Sequence, residues 1–167
     1  MDRIIAHRGG ALRAPENTLP AFEWAAGIGC KWMELDVRLA ACGTPIVIHD
    51  ETLDRTTTGS GATRYMSFKQ IQEADAGLPF SPDFKDTRVP SLKQTLRLLR
   101  SLGCGLNLEL KTDGEDVPAL VQQTLACCAA QGFGKADLLV SSFDHDALAL
   151  VRQAEADLPI GLLYWQN

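Results

Sequence analysis

Trp32-Met33-Glu34-Leu35-Asp36-Val37 is the stretch on which the reading of the fold turns. On a β-strand, residues two apart point the same way, so Glu34 and Asp36 share one face while Met33, Leu35 and Val37 share the other. In an α/β barrel the apolar face packs on helices and the carboxylates point inward. Two carboxylates held close in a medium of low dielectric repel strongly unless a cation or a proton lies between them. The same pattern returns in Asn107-Leu108-Glu109-Leu110-Lys111, with Glu109 and Lys111 on one face and Leu108 and Leu110 on the other. Three carboxylates converging from two strands form an all-oxygen donor set, which suits a hard divalent ion such as Mg²⁺ or Ca²⁺. Solvated faces of edge strands are the plainer alternative, and the apolar residues on either side argue against it.

Outward from these segments, short β-branched runs alternate with helical patterns. The strand-like runs are Arg3–Arg8, Trp32–Leu39, Pro45–His49, Leu106–Lys111, Leu138–Ser142 and Ile160–Trp165. Thr18 stands where a helix cap belongs, ahead of Leu19, Phe22 and Ala26, with Gly27 and Gly29 as stops. Ser91 and Gln94 have capping-box spacing before Leu92, Leu96 and Leu99, and Gly103 stops that helix. Asp116 and Pro118 open a third helix, closed by Gly132, and a fourth runs from about Asp144 to Asp157. Strand–helix–strand order predicts parallel strands joined by crossover helices. The stretch 51–89 fits neither period, apart from a short helix near Ser67–Ala74, and reads as a small insertion within one domain spanning 1–167.

Composition narrows the function. The chain has 167 residues, 46% apolar and 22% charged, and 16 Lys plus Arg against 21 Asp plus Glu leave a net charge of −5. This is a globular composition, and the acidic balance argues against nucleic acid or an anionic membrane as partner. No apolar run approaches the roughly 20 residues of a membrane span, and the first residues lack a secretory pattern, so no stable membrane anchor is expected. Cys30, Cys42, Cys104, Cys127 and Cys128 are odd in number and form no CxxC pair, which predicts reduced thiols and a cytoplasmic location.

Two histidines stand where strands are predicted to end: His7 in Ile4-Ile5-Ala6-His7-Arg8-Gly9-Gly10 and His49 in Ile46-Val47-Ile48-His49-Asp50. In barrel enzymes the C-terminal ends of strands carry the site. Two imidazoles facing one substrate can serve as general base and general acid. Arg8 with Gly9-Gly10 offers a guanidinium and a close-approach backbone, which suits a phosphate. His145 falls in the first turn of a helix and reads as a surface residue.

Taken in order, His7-Arg8-Gly9-Gly10, Pro15-Glu16-Asn17-Thr18-Leu19-Pro20-Ala21-Phe22, Glu34-Leu35-Asp36-Val37, Val47-Ile48-His49-Asp50, Leu53-Asp54-Arg55-Thr56-Thr57-Thr58-Gly59 and Leu108-Glu109-Leu110-Lys111 resemble the glycerophosphodiester phosphodiesterases. The resemblance implies a TIM (β/α)8 barrel with a small insertion, hydrolysing glycerophosphodiesters to sn-glycerol 3-phosphate and an alcohol. By this similarity Glu34, Asp36 and Glu109 hold a divalent metal ion, Mg²⁺ or Ca²⁺. His7 and His49 are the acid/base pair, Arg8 and Lys111 neutralise the substrate phosphate, and Glu16 and Asn17 support the site. The family is thought to use the neighbouring glycerol hydroxyl as nucleophile, through a cyclic phosphate that water opens. Sphingomyelinase D or phospholipase-D-like barrels and a non-catalytic phosphate-binding remnant are the rival readings.

Two departures stand out. Cys42 precedes Gly43 where the family usually has an Asp-Gly turn. A complete barrel needs about 250 residues, and only six strands can be counted, so the barrel reads as truncated after about six strands. A fragment of a longer chain, a short form closed by homo-oligomerisation and an inactive remnant are the three ways to account for that. An unclosed sheet would leave apolar strand edges bare.

Overall fold

The computed structural model describes residues 4–164. In chain order the elements are α1 (Leu19–Gly27), β1 (Trp32–Leu39), β2 (Pro45–Val47), α2 (Phe68–Ile71), α3 (Leu92–Ser101), β3 (Gly105–Leu110), α4 (Val117–Ala130), β4 (Leu138–Ser142), α5 (His145–Ala154) and β5 (Ile160–Leu162). They form one sheet of five strands in the order β2-β1-β3-β4-β5. Strands β1, β3, β4 and β5 run parallel, each beside the next.

The alternation along β1 has the expected consequence. Met33, Leu35 and Val37 are fully buried against Phe22 of α1, Leu92, Leu96 and Leu99 of α3, and Leu120 of α4. Leu106, Leu108 and Leu110 of β3 and Val140 of β4 belong to the same core. Every large helix therefore lies on one face of the sheet, and the opposite face carries Glu34, Asp36, Arg38 and Glu109, all buried. Apolar burial drives the first face, and the second is a polar interior that must satisfy its charges internally.

Helix starts follow the sequence signals with one exception. Ser91 and Gln94 form a reciprocal capping box, as do Ser67 and Gln70 at α2, and Asp116 and Asp144 cap α4 and α5. Thr18 makes no side-chain cap at α1; its hydroxyl instead donates to the Pro15 carbonyl at 2.5 Å.

Two strand expectations are corrected. The first, Arg3–Arg8, amounts among the described residues to a single parallel bridge between Ala6 and Met33, and Arg3 lies outside them. Arg8 and Gly9 have positive φ, 52° and 74°, so the chain turns there, and the Arg8 N–H is taken by the Glu34 side chain rather than by a strand. The second, Pro45–His49, forms β2 over Pro45–Val47 and runs antiparallel to β1, not parallel. Only residues 40–44 connect the two strands, a hairpin length, whereas a parallel pair needs a crossover of a dozen or so residues. Gly43 makes that turn with φ 75°, and Cys42 beside it is exposed. Trp165, at the end of the last expected strand, lies outside the described residues.

Residues 51–89 carry their own small core. Leu53, Ile71, Ala74, Ala76 and Val89 pack with Ala40, Ile46 and Ile48. Asp75 knots the segment by accepting the N–H groups of Gly77, Leu78 and Asp86. No helix among the described residues is long and apolar enough to cross a membrane.

Candidate active site

Parallel register sets Asp36 of β1 directly beside Glu109 of β3, and Glu34 lies one side-chain repeat earlier on the same face. Their carboxylate oxygens converge within 4.8 Å of one another, and the three residues are 6%, 0% and 8% exposed. Glu34 Oε1 is buried with no hydrogen-bond partner. Burial above all, and then the charges of Asp36 and Glu109, push the Glu34 carboxyl up to about 8.

Two cations meet this cluster. Lys111, just past the end of β3, pairs with Glu109 and places Nζ 3.1 Å from Asp36 Oδ1. Arg8 Nε lies 3.3 Å from Asp36 Oδ2, and the Arg8 N–H donates to Glu34 Oε2 at 2.8 Å. Asn17 closes the far side: its Nδ2 donates to Asp36 Oδ2 at 2.8 Å and its Oδ1 accepts the Asp36 N–H. It holds a left-handed backbone, φ 57°, to do so. With all three ionised, the carboxylates outnumber the two cations, and Arg8 is also shared with Glu16. An all-oxygen donor set with an orphaned buried oxygen and excess negative charge fits a hard divalent ion, by the chemistry of the donors and the missing partner of Glu34.

His7 is carried by the turn after Ala6. Its Nε2 is 3.8 Å from Glu34 Oε2, and its side chain is 68% exposed, so it stands at the mouth of the site. Partial desolvation and then the Arg8 charge lower its pKa against Asp36, Glu109 and Glu16, and the ring's exposure lets solvent screen this.

His49 arrives by a different route from the one expected. β2 runs against β1, so strand direction does not deliver His49 to a C-terminal rim. Instead the Ile48 N–H bonds the Asp36 carbonyl, and the chain then turns away, leaving His49 at the level of the acidic cluster. Its carbonyl is gripped by Arg38 Nε at 2.9 Å and its ring Nδ1 by Asp50 Oδ1 at 2.6 Å. His49, Glu109 and Lys111 share a cleft of about 290 Å³ with Asp113, Phe143 and Asp144.

Sequence reasoning missed three residues. Arg38 continues the Glu34–Asp36 alternation into the interior, where its guanidinium also donates to the Asp113 carbonyl and pairs with buried Glu115 at 3.6 Å. That alternation was the available signal. Asp50 stood beside His49 in plain view. Arg55 had no spacing signal, because its partners Glu16 and Asp50 are brought to it only by the fold. His145, at the start of α5, is exposed and set edge-on against Tyr164, apart from the site.

Known proteins share this arrangement of chain. A family model described as the glycerophosphoryl diester phosphodiesterase family matches residues 7–167. The chain is 36% identical over 161 residues to a glycerophosphodiester phosphodiesterase of Caldanaerobacter subterraneus subsp. tengcongensis, covering 96% of this chain and 66% of that one. Among solved structures, a phosphodiesterase of Oleispira antarctica in complex with the product sn-glycerol-3-phosphate superposes with a TM-score of 0.91 at 31% identity, over 97% of this chain and 66% of that one. A glycerophosphodiester phosphodiesterase of Agrobacterium tumefaciens gives 0.85 at 36% identity, over 96% and 66%. The chain thus spans just under two thirds of the length of these relatives.

Proposed function

Since the chain belongs to the glycerophosphoryl diester phosphodiesterase family, we propose that it hydrolyses small-molecule glycerophosphodiesters to sn-glycerol 3-phosphate and an alcohol. The observation that carries this reading is the buried triad Glu34, Asp36 and Glu109, with an orphaned oxygen, His7 3.8 Å from Glu34 and His49 lining one cleft with Glu109. Glu34, Asp36 and Glu109 would hold the divalent ion, which when bound supplies positive charge for the phosphoryl oxygens and the attacking hydroxyl.

The protein's own groups do the rest. Arg8 and Lys111, now resting on the carboxylates, are free to turn part of their donor capacity to a phosphate. One histidine takes the proton of the neighbouring glycerol hydroxyl as its oxygen attacks phosphorus, and the other protonates the departing alkoxide. The cyclic phosphate is then opened by water, with the two histidines exchanging roles. Glu16 braces Arg8, with Nη1 at 2.9 Å from Oε1, and Asn17 fixes Asp36.

The test is release of glycerol 3-phosphate from glycerophosphocholine by the 167-residue chain with Mg²⁺, with Ca²⁺ and with EDTA. Metal-dependent release supports the reading. A folded chain that binds the ion and phosphate but turns over no glycerophosphodiester is a binding module instead.

A further inference from the structure

The Arg8-to-His49 side of the site contains an ion-pair chain whose middle links, Arg55 and Asp50, the proposed chemistry leaves without a task. Arg55 reaches out from the 51–89 segment and forks onto two carboxylates at once. Its Nη1 and Nη2 donate to Glu16 Oε2 and Oε1 at 2.9 and 2.8 Å, and its Nε and Nη2 donate to Asp50 Oδ2 and Oδ1 at 2.7 and 2.9 Å. Glu16 in turn accepts from Arg8, and Asp50 Oδ1 lies 2.6 Å from His49 Nδ1. The line Arg8–Glu16–Arg55–Asp50–His49 thus ties together the loops that bear the two histidines.

Donor inventory fixes what the last link can be. The Arg55 guanidinium, ahead of His49 itself, holds the Asp50 carboxyl far below the usual carboxylate range, so at neutral pH Asp50 carries no proton and only accepts. A bond of 2.6 Å to such a group requires the hydrogen on Nδ1. The lone pair of neutral His49 is then on Nε2. Both oxygens of Asp50 are taken by Arg55, which stops the carboxylate from rotating away from the ring.

We propose that Asp50 and Arg55, with Glu16 as brace, are positioning residues that lock neutral His49 in the Nδ1–H tautomer and so present Nε2 as its proton-accepting atom. The inference rests on the phosphodiesterase reading only for the use made of Nε2, and the tautomer itself is independent of any substrate.

The experiment is ¹⁵N NMR of the imidazole-labelled 167-residue chain, which has three histidines, with His49→Gln assigning the signal, alongside kcat for glycerophosphocholine. In the wild type, neutral His49 is expected to carry its proton on Nδ1. Asp50→Ala, which removes the acceptor, should move the proton to Nε2 and lower kcat roughly 10- to 100-fold, the range for losing an orienting partner. Arg55→Met should give a mixture of tautomers and a fall of about 10-fold, near the lower end of that range. Arg55→Lys keeps the cation but cannot fork both carboxylates, so it should also mix the tautomers, and it keeps the test open if the methionine variant does not fold. A wild-type His49 protonated on Nε2, or Arg55 variants with tautomer and kcat unchanged, overturns the clamp. Tautomer changes as expected in a chain that turns over no glycerophosphodiester leave the clamp standing and remove the phosphodiesterase reading. Turnover with an Nε2–H His49 does the reverse.

Discussion

Glu34 is the residue on which charge, pH and metal meet. Its carboxyl is pushed from 4.5 up to about 8, so between those values the folded, metal-free chain keeps a proton that the unfolded chain has released. Stability of the metal-free protein is therefore expected to fall as pH rises through this window. Urea midpoints at pH 5 and pH 8 in EDTA measure it, and Glu34→Gln should flatten the slope. The sign reverses for a divalent ion. Binding must displace that proton, so affinity should rise over the same window, and calorimetry in buffers of different ionisation enthalpy should detect proton release. At the same scale, Glu34→Ala, Asp36→Ala and Glu109→Ala are expected to weaken metal binding and turnover together. His7→Ala and His49→Ala should abolish turnover and leave metal affinity nearly unchanged, since neither ring is needed in the oxygen donor set. Equal metal loss in the histidine variants would move them into that set.

At the scale of elements, the loop between the Ala6 bridge and α1 is fixed by close approach. Gly9 has φ 74°, and a Cβ there would lie 2.7 Å from the Ala21 backbone carbon. Gly9→Ala is expected to destabilise by roughly 1–3 kcal/mol and to lower activity beyond that, because moving this loop pulls the Arg8 N–H off Glu34. Thermal melts paired with turnover per folded molecule separate the two effects. The capping box of α3 makes a milder prediction: Ser91→Ala should cost about 1 kcal/mol with the site untouched, read as an unchanged metal affinity. Caps and glycine stops are local signals, so α3, α4 and α5 were legible in the sequence. The direction of β2 follows from the short connection after β1, which period-two alternation does not encode. Among the described residues the first expected strand amounts to one bridge, because Glu34, distant in sequence, captures the Arg8 N–H that a strand would use.

For the whole molecule, an ion held by the triad would link binding to folding, because the site is assembled from β1, β3 and the loops after Ala6 and Ile48. A divalent ion at 100 times its Kd should stabilise the chain by about 2.7 kcal/mol. For a domain of this size that is a rise in Tm on the order of 5–10 °C. Differential scanning calorimetry with and without EDTA measures it, and Asp36→Ala should erase the difference. The chain spans 66% of its relatives' length. Alternation in two short strands determined the acidic triad, because a pleated backbone places every second side chain on one face whatever surrounds it. The same alternation marked the apolar face that the helices cover. Tertiary structure alone decided the route by which His49 reaches the cluster, the burial of Arg38 behind it, and the Glu16–Arg55–Asp50 clamp. Those depend on loops 39 residues apart in the chain being brought within hydrogen-bond distance, and no local pattern of residues carries that distance.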